Sequence, residues 1–283
     1  MAATQSRTRP FAQVDVFSAT PFRGNPVAVV LDADGLSTQD MAGFARWTNL
    51  SETTFVLPPT DPGADYRMRV FTPERELPFA GHPTLGTAHA WLEHGGTPRA
   101  ADRVIQECGA GLVPLHRDAD RLAFAAPPTL RTGPVDEADL AGIAAAIGVD
   151  RAEILDHQWV DNGPGWVAVR LDSAERVLGL EPDFAALSGV MVGVLGDHPA
   201  GSPHLFEIRA FAVGAGVDED PVTGSLNASV AQWLIGSNGA PANYSATQGT
   251  RLGRVGVVHI RSGDGVVWVG GDCTTGIRGT VTI

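Results

Sequence analysis

Two short stretches hold residues that could do chemistry at matched spacing. His82-Pro-Thr-Leu-Gly86-Thr87 and Asp220-Pro-Val-Thr-Gly224-Ser225 are 138 positions apart and share Pro, Gly and a hydroxyl residue in the same places. Arg-x-Phe precedes each, at Arg69 and Arg209. A strand, a loop and a helix beginning at proline are expected in both, because the N–H that proline lacks would have no partner at a helix start. The amides that follow carry partial positive charge, and small residues (Thr84, Gly86, Thr87; Thr223, Gly224, Ser225) would let an anion approach. If the two ends share one cleft, the chemistry is carboxylate binding without a cationic side chain. An ordinary helix start capped by Asp, His or Ser is the plainer alternative.

A proton carrier is also present. Glu52 sits in the turn Ser51-Glu52-Thr53, just ahead of the apolar run Phe55–Leu57. Shielded from water, a carboxyl there rises toward neutrality and can serve as acid and base. Exposed, it is a solvated turn residue. His82 and Asp220 hold equivalent places in the repeat, and either could orient substrate or share proton traffic.

Strands and helices must position these groups. Apolar runs predict strands at Val14–Phe17, Pro26–Leu31, Phe55–Leu57 and in YRMRVF, and hairpins in RVIQECGAGLVPLHRDADRLAF. Helices are predicted after Ser37, with Asp40 completing the cap, and from Pro83 to the stop at Gly95-Gly96. The order then restarts: helix DEADLAGIAAAIGV, strand GWVAVRL, a short helix in EPDFAAL with Pro182 first, strands GVMVGVLG and HLFEIRAFAV, helix DPVTGSLNASVAQWL, then strands to the end. GNPVAVV also resembles NGPGWVAV. A duplicated α/β unit is expected, with domains 1–127 and 128–269 and with the C-terminal strand 270–283 as an addition to the first.

Composition removes other classes. The chain has 283 residues and a net charge of −12, which disfavours nucleic acid. All 20 basic residues are arginine, so Schiff-base and phosphate-loop lysines are excluded. Eight scattered histidines show no metal-ligand spacing, so no metal is expected. The N-terminus lacks an apolar core and no run approaches a membrane span, so a cytoplasmic protein with no membrane partner is expected.

Four ordered blocks, GNPVAVV, NLSETTFV, RVFTPERELPFAGHPTLGTA and GVDEDPVTGSLNAS, closely resemble the PhzF (phenazine-biosynthesis-like) family. The resemblance runs from Val14 to Gly256. It implies the diaminopimelate-epimerase-like α+β fold: two similar domains related by a pseudo-twofold, each a curved, mostly antiparallel sheet around a central helix, with the active site between them. It implies a cofactor-free isomerase that moves a proton on a small carboxylate-bearing metabolite, trans-2,3-dihydro-3-hydroxyanthranilate or a related compound. By the same resemblance Glu52 is the acid/base and His82 and Asp220 are catalytic. It further implies that Gly81, Gly224, Ser225 and Asn25 contact substrate and that the chain is a homodimer. A catalytically silent binding protein of this fold and an amino-acid epimerase or racemase are the alternatives. Two-thiol epimerase chemistry is disfavoured, because neither GHP nor DPVTGS contains cysteine, and Cys108 and Cys273 read as structural.

Overall fold

Short apolar runs broken by Gly, Pro and Asp make short strands, and helices form only where apolar residues recur every three or four positions. The computed structural model describes residues 6–118, 121–187 and 189–283. The N-terminal residues read for a leader (1–5) and the turn of the expected second hairpin (119–120) lie outside the described residues. The chain divides into two units, Met1–Ala125 with Gly270–Ile283, and Ala126–Val269.

The first unit contains β1 (Thr8–Val16), β2 (Asn25–Val30), α1 (Thr38–Thr48), β3 (Thr53–Leu57), β4 (Tyr66–Phe71), β5 (Glu76–Leu77), α2 (Gly81–Glu93), β6 (Arg103–Cys108), β7 (Gly111–Asp118) and β8 (Arg121–Ala125). β1 pairs antiparallel with β2, β2 parallel with β3, and β3 antiparallel with β4. β4 pairs antiparallel with β5 and parallel with β6, and β6, β7 and β8 follow as hairpins. The last strand of the chain, Cys273–Thr282, runs antiparallel along β1. Parallel neighbours need a crossover, and each of the two crossovers carries a helix. α1 starts on the expected capping box of Ser37 and Asp40 and packs Met41 and Ala45 with Val30, Phe55 and Phe71. α2 lies against β1, β2, β3, β6, β8 and the last strand. One helix can touch so many strands of one sheet only if the sheet curls around it, which is why α2 is apolar or small nearly all round.

The second unit contains α3 (Glu137–Ile147), β9 (Asp156–Trp159), β10 (Trp166–Arg170), α4 (Ala174–Leu178), β11 (Met191–Asp197), β12 (Phe206–Ala212), β13 (Val217–Asp220), α5 (Gly224–Gly236), β14 (Asn243–Gln248) and β15 (Gly256–Gly263), and β16 (Val266–Gly271) spans its boundary at Val269. β9 is antiparallel to β10, β10 parallel to β11, and β11 antiparallel to β12. β12 is antiparallel to β13 and parallel to β14, and β14 is antiparallel to β15. That is the pairing order of β1 to β7, with α4 in the crossover of α1 and α5 in that of α2. The repeat in the sequence is therefore a repeat of topology, and the fold is α+β. On one face, Leu226, Val230 and Trp233 of α5 pack with Trp166, Ala168, Leu195 and Ile208. On the other, α3 and α4 pack Leu140, Ile143, Ile147 and Val177 with Val167, Val192, Val194 and Phe211.

Arg-x-Phe proves to be a structural device. Arg69 donates to Glu76 at 2.7 Å and stacks 5.1 Å from the Phe71 ring centre. Arg209 donates to Glu219 at 2.9 Å and stacks 5.0 Å from Phe211. Each arginine thereby ties its long strand to the short strand that leads to the central helix. One expected helix is absent: residues 181–187 form a turn in which Asp183 Oδ1 accepts the N–H groups of Ala185 and Ala186. Asp183 satisfies those donors locally, which favours a turn over a helix. The short helix of this region is α4, capped by Ser173.

Candidate active site

In the first unit three element starts meet. β2 opens at Asn25, Glu52 immediately precedes β3, and His82 lies in the first turn of α2. β2 and β3 are parallel neighbours, so their starts share one edge, and Ala28 N–H donates to the Glu52 carbonyl at 3.4 Å. Glu52 Oε2 lies 3.5 Å from His82 Nε2, and the two side chains are 18% and 7% exposed. Oε2 is buried and accepts no hydrogen bond among the described residues. Burial pushes the Glu52 carboxyl up to about 7, against a smaller opposing pull from the Ser51 hydroxyl. On the other side of the imidazole, Asn25 Nδ2 lies 3.4 Å from His82 Nδ1. An amide nitrogen can only donate, so this contact assigns the acceptor role to Nδ1 and the ring proton to Nε2, facing Glu52.

Asp15, which no motif marks, supports this row. Asp15 Oδ2 accepts the N–H groups of Arg23 (2.7 Å) and Gly24 (2.8 Å), fixing the turn that delivers Asn25. Gly24 is required there because a Cβ would run into the Val16 carbonyl. A lone Asp in an apolar strand was the available signal.

The helix starts differ from the expectation. α2 begins at Gly81 and α5 at Gly224, 143 positions apart, whereas the motif repeats at 138. Pro83 is the third residue of α2, where its missing N–H still costs nothing, and Pro221 precedes α5 by three residues. His82 is thus inside a helix, while Asp220 closes β13, so the two are not structurally equivalent. The α2 ladder begins with Thr84 N–H on the Ala80 carbonyl, so an amide offered to a ligand must come from before Thr84, as that of Gly81 does. Thr84, Gly86 and Thr87 are buried for packing instead: Thr87 donates to Thr54 at 2.7 Å, and a Cβ on Gly86 would stand 2.9 Å from Val16 Cγ2.

In the second unit Asp220 Oδ2 accepts the Thr223 hydroxyl at 2.5 Å. Gly224 and Ser225 open α5, whose ladder begins with Asn227 N–H on the Thr223 carbonyl. Ser225 Oγ accepts from Trp166 Nε1 at 3.1 Å, and its carbonyl accepts from Asn162 Nδ2 at 2.9 Å. Asn162 is a second residue that the expected site lacks. It stands just ahead of β10 as Asn25 opens β2, and each asparagine reaches the second residue of its central helix. The resemblance of GNPVAVV to NGPGWVAV was the available signal.

Among the described residues no group of three His, Cys, Asp or Glu is arranged to hold a metal. Cys108 and Cys273 form no disulfide, and burial pushes both thiols up, away from the reactive thiolate. No helix among the described residues is long and apolar enough to cross a membrane.

Residues 14–279 match the family described as phenazine biosynthesis-like protein. The chain belongs to this family. This family member is 35% identical over 263 residues to the trans-2,3-dihydro-3-hydroxyanthranilate isomerase of Pseudomonas aeruginosa, covering 89% of this chain and 90% of that one. It is 40% identical over 290 residues to antisense-enhancing sequence 1 of Schizosaccharomyces pombe, covering 95% and 97%. Its fold matches the crystal structure of a PhzF family protein from Enterococcus faecalis with a TM-score of 0.82 and 26% identity, over 98% and 100% of the chains. A hydroxyproline epimerase from Agrobacterium vitis shares the fold more distantly, with a TM-score of 0.58 and 14% identity over 98% and 93% of the chains.

Proposed function

We propose that this family member, an isomerase, moves a proton on a small carboxylate-bearing metabolite, with Glu52 as the acid/base and no cofactor. The observation that carries the reading is the buried Glu52 carboxyl, raised to about 7 and 3.5 Å from His82 Nε2. A carboxyl poised there is part ionised near neutral pH, so it can take a proton from one carbon and return it. As the carboxylate it removes the substrate proton, and the electron pair of the broken C–H bond spreads toward the substrate's own acid group. As the carboxylic acid, whose hydrogen exchanges with solvent between the two steps, it protonates another carbon or the other face. His82 Nε2–H steadies the carboxylate form, and Asn25 holds the ring in that tautomer.

Gly81 contributes an amide at the positive end of α2. Asp220, Gly224 and Ser225 are assigned to the same reaction on the strength of the sequence resemblance alone. The homodimeric state is proposed on the same resemblance, and the cytoplasmic location on the hydropathy of the amino-acid sequence.

The compound named for the pseudomonad relatives, trans-2,3-dihydro-3-hydroxyanthranilate, is the first substrate to try. Incubation in heavy water should place deuterium in it, and Glu52→Gln should abolish that exchange. A silent binding protein is the second reading, favoured by the Schizosaccharomyces pombe relative, whose name is not that of an enzyme. That reading predicts binding without deuterium uptake.

A further inference from the structure

Gln248, the last residue of β14, is completely buried. Its Oε1 accepts the Thr223 N–H at 3.0 Å and Asn227 Nδ2 at 2.8 Å. Its Nε2 donates to the Asp220 carbonyl at 3.1 Å and to the Thr223 hydroxyl at 2.9 Å. A primary amide has two donor hydrogens and two acceptor lone pairs, so every position is used. Thr223 passes the constraint on through its bond to Asp220 Oδ2. One side chain therefore holds the backbone of Asp220, the N-cap residue of α5 and a residue of its first turn.

The chain around Gln248 closes tightly on the same turn. A Cβ on Gly249, which has φ +86°, would stand 2.5 Å from the Pro221 carbonyl. A Cβ on Gly256, the β15 partner of Gln248, would run into Val222. Both glycines let backbone lie against the Pro221–Val222 segment.

The first unit repeats the device. Gln106 is completely buried on β6, which runs parallel to β4 as β14 does to β12. It accepts from the Tyr66 hydroxyl at 2.8 Å and donates to Thr84 Oγ1 at 3.1 Å, one turn into α2. Thus in each unit the strand parallel to the Arg-x-Phe strand brings a buried glutamine to a threonine at the start of the central helix. Burying an amide is costly unless it is fully bonded, and an apolar residue would fill a strand core without that condition.

We propose that Gln248 is a positioning residue that fixes Asp220 and the opening of α5 for the bound carboxylate. This rests on the proposed isomerase reading, in which Gly224 and Ser225 meet that group. Gln248→Glu keeps the shape, replaces the two donor hydrogens by lone pairs, and sets a negative charge beneath the helix start.

The test follows the amide resonances of Gly224 and Ser225 in labelled protein during titration with sodium benzoate. Wild type should respond, and folded Gln248→Glu should bind at least tenfold more weakly near pH 8, with part of the loss recovered as acidification restores an O–H donor. A merely structural glutamine would give no such pH-dependent recovery. Affinity within twofold of wild type overturns the proposal, as does a wild type whose two amides ignore benzoate. If Gln248→Glu does not fold, Thr223→Val, which cuts the link to Asp220 and keeps side-chain volume, takes the same titration and the same criterion. Benzoate binding in a wild type that takes up no deuterium would sink the isomerase reading and leave the positioning role standing.

Discussion

Glu52 Oε2 and His82 Nε2 are 3.5 Å apart, and the same imidazole meets Asn25 on its far side at 3.4 Å. In the proposed reaction the member of this row that takes up and releases the substrate proton is the glutamate. Removing a positioned acid/base ordinarily costs about 10²–10⁴ in rate. Glu52→Gln should therefore lose turnover by that order while the protein still folds. Deuterium exchange into substrate measures it, and exchange at the wild-type rate would remove Glu52 from the mechanism.

The pH profile follows from the same carboxyl. The proton-abstracting form is the carboxylate, so kcat/KM should fall with acid and be half-maximal near pH 7. Stability moves the opposite way. The folded-state value is raised, so the stabilising contribution is complete below the ordinary 4.5 and is lost as pH rises through about 7. The two values differ by about 3 kcal/mol of protonation free energy. Glu52→Gln, which cannot ionise, should gain up to about that much over wild type near pH 8 and much less near pH 4. Denaturant melts at the two pH values check this, and equal gains at both would refute the buried-carboxyl account.

Asn25→Ala should act through the imidazole. Without the amide donor on Nδ1, the ring can place its proton there and turn a lone pair toward Glu52. The carboxylate form then loses support, so kcat should drop and the acid limb of kcat/KM should move to higher pH. An unchanged midpoint with reduced kcat would mean that Asn25 does not set the tautomer.

Gly86 separates packing from anion binding. An added methyl there meets Val16 and Val27 on the sheet. Gly86→Ala should cost about 1–3 kcal/mol of stability, the usual range for overpacking, and leave KM of the surviving folded enzyme unchanged. A large rise in KM at unchanged melting temperature would restore Gly86 to the ligand site.

Thiol chemistry makes a contrary prediction. Burial holds Cys108 and Cys273 in the thiol form. Iodoacetamide should react slowly, and the Cys108→Ser, Cys273→Ser double variant should keep its turnover. Its inactivation would favour a two-thiol epimerase.

Much of this protein is legible in its residues. The apolar runs, the Ser37–Asp40 cap, the Arg-x-Phe repeat and the Ser-Glu-Thr turn are local patterns. Each reports on neighbours within a few positions, or on a second copy of itself. They point to a duplicated α/β unit and single out Glu52, His82 and Asp220 as candidates, while the α+β fold and Asn25 come with the family resemblance. What lies beyond them depends on contacts between residues far apart in the chain. Gly86 and Thr87 look like anion-binding residues until the curled sheet presses Val16, Val27 and Thr54 against them. The five-residue offset between motif and helix start separates His82 from Asp220, and no spacing rule signals it. Asp15, Gln106 and Gln248 belong to no motif, because a buried polar group matters through the distant partners that satisfy it, and only the folded chain brings those partners within hydrogen-bonding distance.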